Sequence, residues 1–478
     1  MKQKINFILN DQEVETSQHS GMSLLDYLRQ KAHLTGTKEG CKEGDCGACT
    51  VLIGELVNDE IKYKSVNSCL LPVGEVNKKH VVTIEGLNRE ELTPIQTEMV
   101  DEGGTQCGFC TPGFIVSLSG YYLINENYNT EDAIDSMNGN ICRCTGYAGI
   151  KRTAAKITNA LNKSLKNNLS KLDLLVRENI IPEYFLTVKE KLITINKIQY
   201  GQTISKSNGS QFHYTISGGT DLMVQKWEDI LKSDVTLISD KNVSRGIREA
   251  NGKIIIGGGA TASEIEDSPV MGKLFPKIKE YFSLFGSLPI KNMATLAGNI
   301  INASPIADMT NIFLALNSTL TLSNGDSTRE ILLKDFYKGY KTLDKKENEL
   351  LIEISFNLPK ENSFFNFEKV SKRKYLDIAS VNSSIYIETY KDLINDIHIS
   401  AGGVAPIPLY LKKTCEFLSS KKISSDIVEE ASKILQDEIS PISDARGTDE
   451  YKRLLLRQLF YTHFIKLFPE LINVEELV

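Results

Sequence analysis

The chain has 478 residues, too many for one hydrophobic core and enough for two to four domains. Its 55 basic and 61 acidic side chains leave a formal charge of −6 with no basic block, which argues against nucleic acid as a partner because phosphate neutralisation needs concentrated Lys and Arg. Hydrophobic residues at 41% and charged residues at 24% suit a globular protein; no apolar run reaches membrane-spanning length, and Met1–Phe7 breaks up before a signal core, so a cytoplasmic location with no membrane partner is expected.

Residues 4–9 and 13–16 predict a hairpin around Asn10-Asp11, with Ile5, Phe7 and Leu9 alternating. A short helix is expected at about 23–32, capped by Ser23, with Leu24, Leu25 and Leu28 on one face. A Gly- and Cys-rich loop then runs from Gly40 to Cys49 into the strand Thr50–Ile53. These elements make a ferredoxin-like β-grasp unit over 1–88. From 89 to 165 the pattern is helical, with helices opening near Thr93-Pro94, Thr111-Pro112, Thr130-Glu131 and Thr145-Gly146. Residues 166–182, polar and then extended, read as a linker. Residues 183–360 and 361–478 alternate strands, Gly-rich turns and helices, and the segment Glu450–Leu467 is strongly helical.

Eight of the nine cysteines lie between Cys41 and Cys144; Cys415 stands alone and reads as a core thiol. Without an export signal, such clustering points to metal rather than disulfides. Cys41, Cys46, Cys49 and Cys69 give C-x4-C-x2-C followed by a distant cysteine, the plant-type 2Fe–2S spacing. Gly40, Gly44 and Gly47 let the loop turn tightly and aim N–H groups at the sulfurs. The competing reading is a four-cysteine zinc site, but zinc sites usually pair short-spaced cysteines as two knuckles. Cys107, Cys110, Cys142 and Cys144 form C-x2-C and C-x-C pairs, each just ahead of a predicted helix whose N-terminus would favour an anionic cluster. Alone, that pattern fits zinc equally. Two such sets in one stretch favour an electron relay with two 2Fe–2S clusters.

Three further segments suggest a nucleotide cofactor. Thr215-Ile216-Ser217-Gly218-Gly219-Thr220-Asp221-Leu222 places a Gly turn with hydroxyls after a strand, able to present N–H groups to a pyrophosphate. Thr295, Gly298 and Asn299, continuing to Ser304 and Asp308, offer a second turn with a carboxylate for sugar hydroxyls. Lys369, Arg373 and Asp377-Ile378-Ala379 form a third, and Phe285 is a candidate for packing on a flavin ring. Gly257-Gly258-Gly259-Ala260-Thr261-Ala262 also fits G-x-G-x-x-A, but it precedes only a short helix capped at Ser263 with Glu266, with no βαβ unit, and reads as structural.

The runs Gly40-Cys41-Lys42-Glu43-Gly44-Asp45-Cys46-Gly47-Ala48-Cys49-Thr50, Gln106-Cys107-Gly108-Phe109-Cys110-Thr111-Pro112-Gly113 and Cys142-Arg143-Cys144-Thr145-Gly146-Tyr147 resemble the signatures of the xanthine dehydrogenase family of molybdenum hydroxylases. The resemblance continues through Ile181-Pro182-Glu183-Tyr184-Phe185, the three turn segments, Ser400–Pro406 and Asp444–Arg453. Ala297 stands where the family commonly has Gly, tolerable unless its φ is positive. The resemblance implies a multidomain α+β chain: a β-grasp 2Fe–2S domain, a four-helix-bundle 2Fe–2S domain and a two-lobed α+β FAD-binding domain with a C-terminal α/β part. It assigns FAD to Thr215–Leu222, Phe285, Thr295, Gly298, Asn299, Ser304, Asp308 and Lys369. Gln106 matches a glutamine that hydrogen-bonds the molybdopterin of a neighbouring subunit.

The family's chemistry, hydroxylation of a heterocycle carbon by water, needs a molybdenum domain for which clusters and flavin leave no room here. The chain is therefore expected to be the small subunit of a split enzyme, with no catalytic residue of its own. The implied relay runs from a large molybdopterin-binding subunit through the Cys107/Cys110/Cys142/Cys144 set, then the Cys41/Cys46/Cys49/Cys69 set, to FAD and NAD+, in a heterodimer or dimer of heterodimers. Nicotinate, aldehyde, carbon monoxide and aromatic-thioester enzymes of the same superfamily are alternatives in substrate. A zinc-binding scaffold is the alternative in class. The six histidines show no ligand or triad spacing, and Trp227 reads as a packing residue on a helix.

Overall fold

Alternating apolar residues and a tight turn make the first hairpin: strand β1 (Ile5–Leu9) pairs antiparallel with β2 (Gln12–Thr16), and Asn10 takes φ 57° between them. β1 also pairs in parallel with β5 (His80–Val82), which joins β3 (Thr50–Val57) and β4 (Glu60–Asn67) in a five-stranded sheet of order β2-β1-β5-β3-β4. Ser23 caps the short helix beginning at Leu24, its hydroxyl accepting from the Asp26 N–H, and the turn continues through Lys31. The computed structural model describes residues 4–165, 169–197, 213–241, 243–373 and 376–477. β1 is buried throughout because both faces are covered: Ile5, Phe7 and Leu9 enter the ferredoxin-like core, while Ile8 packs with Val188, Leu192 and Ile195 of the helix Val188–Lys197.

A one-turn helix, Ile84–Leu87, and four longer ones follow the sheet. Pro94–Asp101 opens with a capping box between Thr93 and Gln96. Thr111–Ile124 is buried on nearly every side, with its Gly120 against Leu52 of β3. Thr130–Asp135 is capped by Asn129, one residue before the expected start. The last, Ala148–Ser164, starts three residues after Thr145, because Tyr147 is held at φ 68° and cannot join a right-handed turn.

The segment expected to be an extended linker contains a helix. Residues 166–168 lie outside the described residues, but Lys171–Arg177 is helical, capped by Ser170, with Leu174 and Leu175 buried. Its apolar residues Leu172, Leu175 and Val176 share a face and join the helical-domain core.

The chain divides into two compact units, residues 1–242 with 287–293 and residues 243–286 with 294–478. This division falls inside the segment 183–360 expected for the flavin domain. The physical reason is burial: β6 (His213–Ile216) and its parallel partner β7 (Asp234–Leu237) contribute Ile216, Val235 and Leu237 to the ferredoxin-like core, together with Met223 and Ile230.

In the second unit, β8 (Ile247–Ala250), β9 (Lys253–Gly257), β10 (Thr319–Ser323), β11 (Thr328–Leu332) and β12 (Leu350–Asn357) form an antiparallel sheet of order β11-β10-β12-β9-β8. A four-stranded antiparallel sheet follows, from β13 (Ser363–Val370) through β14 (Val381–Tyr390) and β15 (Leu393–Gly402) to β16 (Leu409–Tyr410). The helices Ser425–Glu438 and Asp449–Leu467 share its core, which also buries Cys415; burial pushes that thiol up to about 12. The architecture is multidomain α+β. Among the described residues no helix is long and apolar enough to cross a membrane.

Candidate cluster and flavin sites

The loop Cys41–Cys49 precedes β3, and Cys69 follows β4, so the β3–β4 hairpin brings the fourth cysteine back to the loop. The Cys49 and Cys69 sulfurs lie 3.4 Å apart, and the Cys41 and Cys46 thiols hydrogen-bond each other. The Glu43 N–H points at Cys41 Sγ at 3.3 Å, and the N–H groups of Asp45 and Cys46 also face it. The Cys46 thiol and these N–H groups lower Cys41 to about 5, against the opposing effect of burial. Gly44 at φ 80° and Gly47 at φ 65° give the loop the left-handed turns that this nest of N–H groups requires.

In the second set the Cys107 and Cys144 sulfurs lie 3.7 Å apart, and Cys110 hydrogen-bonds Cys142. Burial raises the Cys142 thiol, but the Thr145 hydroxyl, 3.2 Å from its sulfur, and the Thr145 and Cys144 N–H groups bring it below its ordinary value. The Cys142 N–H donates to the Tyr147 hydroxyl at 3.0 Å, which fixes the approach to the Ala148 helix. Cys110 is the cap residue of the 14-residue helix Thr111–Ile124, so that helix N-terminus faces the set. Cys107, Cys144, Gln106, Phe109, Ile141 and Arg143 are exposed, whereas Cys49 and Cys69 are buried.

The thiols thus stand in pairs, Cys41 with Cys46 and Cys49 with Cys69, then Cys107 with Cys144 and Cys110 with Cys142. Among the described residues no three His, Cys, Asp or Glu side chains converge on one metal ion. A zinc site gathers four ligands about one centre, whereas a 2Fe–2S core takes two thiolates at each iron. The donor sets fit the binuclear cluster.

The residues expected for FAD fall in both units. In the first unit the strand ending at Ile216 runs into the turn Ser217–Thr220, where Gly219 is buried at φ 74°; a Cβ there would lie 2.7 Å from the Leu70 carbonyl. Asp221 and Leu222 begin the short turn that follows, the Asp221 carbonyl accepting from the Val224 and Gln225 N–H groups.

In the second unit Thr295 caps the helix Leu296–Asn302, its hydroxyl accepting from the Gly298 N–H at 3.1 Å. Ala297 lies inside that helix without a positive φ, so its methyl group is unstrained. Asn299 Oδ1 accepts from the Thr310 N–H at 3.0 Å and from its hydroxyl at 2.9 Å. Asp308 is buried with both oxygens engaged: Lys369 Nζ donates to Oδ2 at 2.6 Å and Asn382 Nδ2 to Oδ1 at 2.5 Å. Lys369 also donates to the Leu284 carbonyl at 2.6 Å, beside the half-buried Phe285. Each Asp308 oxygen keeps a second acceptor position, so the carboxylate can still receive sugar hydroxyls. Ser304 is partly exposed, and Arg373 closes on its own segment, its N–H donating to Asp377 at 2.8 Å. Within the second unit, the fixed carboxylate has the chemistry to accept sugar hydroxyls of a dinucleotide.

The Gly257-Gly258-Gly259 run closes on the protein's own backbone. A Cβ at Gly257 would lie 2.0 Å from the Ser244 carbonyl, and one at Gly258 2.4 Å from the Leu351 carbonyl. The helix after it is capped by Thr261 with Glu264, two residues earlier than expected, and the Ser263 hydroxyl makes no hydrogen bond. Sequence reading missed Asn140, Ser117 and Asn382, all buried polar residues whose side chains hold the sites' loops. Asn140 carried a weak signal, an amide two residues before a cysteine of the outer set.

Paired thiols on two loops, joined in one chain to an α+β flavin fold, define an iron–sulfur flavoprotein. Residues 7–74 match the family profile described as a 2Fe-2S iron-sulfur cluster binding domain, and 83–155 that of a 2Fe-2S binding domain. Residues 190–360 match the FAD binding domain in molybdopterin dehydrogenase, and 367–467 the CO dehydrogenase flavoprotein C-terminal domain. The chain is 29% identical to xanthine dehydrogenase 1 of Arabidopsis thaliana over 93% of its own length and 38% of that protein's. It is 27% identical to aldehyde oxidase 1 of Macaca fascicularis over 94% of its length, again 38% of that protein. In fold, 53% of the chain superposes on 88% of a chain of carbon monoxide dehydrogenase from Hydrogenophaga pseudoflava, with a TM-score of 0.50 and 21% identity. The chain belongs to the molybdenum hydroxylase family and corresponds to its iron–sulfur and FAD-binding part, about two fifths of the length of the curated relatives it matches.

Proposed function

We propose that the chain relays electrons for a molybdenum hydroxylase of the xanthine dehydrogenase type, from a separate molybdopterin-bearing subunit to NAD+. The observation that carries this reading is the difference in exposure between the two cysteine sets. Cys107 and Cys144 are open to an external donor, and Gln106 beside them is exposed for the pterin contact that the family resemblance implies. Cys49 and Cys69 are buried, so the inner set is reached through protein. When bound, the clusters carry single electrons and FAD combines two of them for hydride transfer.

The chain's own residues hold and shield. The N–H nest around Cys41 stabilises thiolate charge, Thr145 and the helix at Thr111 do so for the outer set, and Lys369 and Asn382 fix the Asp308 carboxylate for FAD. Assembly with a large molybdopterin-binding subunit, as a heterodimer or a dimer of heterodimers, belongs to the same proposal. The alignment with aldehyde oxidase favours one alternative substrate class, aldehydes.

The test is anaerobic purification with iron, sulfide, zinc, molybdenum and flavin assays. About four iron, four sulfide and one FAD per chain are expected. Zinc in place of iron would leave only a scaffold. With the molybdenum subunit present, reduction of the flavin by xanthine but not by an aldehyde selects the xanthine reading.

A further inference from the structure

The inner cysteine set sits beside carboxylates. Cys41, Cys69, Asp26, Lys42, Glu43 and Trp227 line one cavity, and among the described residues that line it Lys42 is the one cation. Asp26 is held in place by the Ser23 hydroxyl, which donates to Oδ2 at 2.7 Å, and by Gln30 Nε2, which donates to Oδ1 at 3.2 Å. Lys42 Nζ lies 3.8 Å from Asp26 Oδ1, 3.4 Å from Glu39 Oε1 and 5.2 Å from the centre of the Trp227 ring. The last distance is that of a cation over an aromatic face.

Neither residue is placed as packing alone would place it. Lys42 follows Cys41 with φ 59°, a left-handed backbone that disfavours a side chain and suits glycine. Trp227, the chain's single tryptophan, is 41% exposed and so is not a core residue. Its place is fixed from beneath. Three positions on, Ile230 is fully buried in the ferredoxin-like core, where a Cβ on Gly21 would lie 2.5 Å from Ile230 Cγ2. The segment that carries the ring is thus anchored to the same core as the cysteine loop.

We propose that Lys42 is a positive charge fixed beside the inner set by the Trp227 ring, and that the pair raises the reduction potential at that set. The inference rests on the two-cluster reading. Net charge is one of the terms that set the potential of such a centre. Reduction adds one electron to the inner set and removes one from the outer set, with no proton moved and no bond made or broken. Asp26, Glu39 and Glu43 oppose that step by like charge, and the Lys42 ammonium offsets them. A lysine is a compact charge on a flexible four-carbon stem, and at a solvent-facing cavity it would otherwise swing away. Stacking on Trp227 keeps it in place. Trp227 is therefore a positioning residue that acts through Lys42, although it lies in the stretch matched by the FAD-domain profile.

The experiment compares the full-length, cluster-loaded chain with three variants. Lys42→Gly deletes the charge while suiting the left-handed φ, Lys42→Arg keeps the charge, and Trp227→Leu removes the ring. Iron and sulfide are counted first. Each protein is then titrated with redox mediators and followed by EPR, the outer signal being the one that Cys107→Ser removes. That outer signal serves as the internal reference.

With cluster content intact, the equilibrium constant for reducing the inner set should fall about tenfold in Lys42→Gly, which is about 59 mV for a one-electron couple. Lys42→Arg should restore it, Trp227→Leu should lower it by about threefold, and the outer potential should stay fixed throughout. An unchanged inner potential in fully loaded Lys42→Gly would overturn the proposal. So would an equal fall in Lys42→Arg, since loop shape and not charge would then be the cause. If Lys42→Gly fails to load its cluster, Trp227→Leu decides alone, because it alters no residue of the cysteine loop, and an unchanged inner potential there would overturn the assignment. Fewer than two reduced spins in the unmutated chain would instead refute the two-cluster reading, and the role of Lys42 with it.

Discussion

His80 and His463 are buried in different units, and each is held neutral by its surroundings. His80 Nε2–H donates to the Asn10 carbonyl at 2.8 Å while Nδ1 accepts from the Tyr63 hydroxyl at 2.8 Å, which selects one neutral tautomer. Burial pushes His80 down to about 4, and burial likewise pushes His463 down to about 3. Below pH 6.5 the unfolded chain takes up protons at these positions and the folded chain does not. Their contribution to stability is therefore complete above that pH and declines as pH falls toward about 4, by about 1.4 kcal/mol per unit for each histidine. Urea unfolding at pH 7 and pH 5 should show this loss, and His80→Asn should flatten it; an unchanged slope in that variant would remove His80 from the account.

The Asp308–Lys369 pair permits a second residue-scale test. Lys369 is nearly inaccessible, so Lys369→Met leaves a buried carboxylate without its counter-charge, at about 3–5 kcal/mol of stability. Asp308→Ala should in addition lower flavin content after dialysis, and full retention would place FAD elsewhere. The cysteine sets whose thiols the structure pairs were legible because their spacing is itself the constraint. Asn140 and Asn382 were not, because a buried amide reads like any turn or strand residue until its partners, far away in sequence, are known.

At the level of elements, helix starts were legible where a hydroxyl cap carried the signal, as at Ser23 and Thr93. They shifted where backbone handedness decided instead, as at Tyr147. The helix Lys171–Arg177 was hidden because seven residues are too few to establish a period and polar residues precede it. Tertiary burial stabilises it, since so short a helix is marginal alone. If that is its source of stability, Leu175→Ala should cost about 2–5 kcal/mol, as for a core leucine. A linker residue would tolerate the change within about 0.5 kcal/mol. Chemical denaturation of the variant separates the two.

Over the whole molecule, sequence segments and compact units divide the chain differently. The profile for the FAD domain runs over 190–360, yet Ile216, Val235 and Leu237 within it pack in the ferredoxin-like core. Fold class was legible because strand and helix periods are local, but this packing was not, since it depends on which core receives Ile216 and Leu237. The relay proposal makes its own demand at this scale: the two ends of the chain's redox path should be separable. Cys46→Ser removes an inner-set ligand while leaving the residues assigned to FAD untouched. In the complex with the molybdenum subunit, substrate should still reduce the outer set, whose ligands are intact, but should no longer reduce the flavin. NADH should continue to reduce the flavin, because that exchange uses neither cysteine set. Stopped-flow spectra of the two half-reactions check both outcomes. Unchanged flavin reduction by substrate would mean that electrons bypass the inner set, and the order of the relay would have to be reversed or branched.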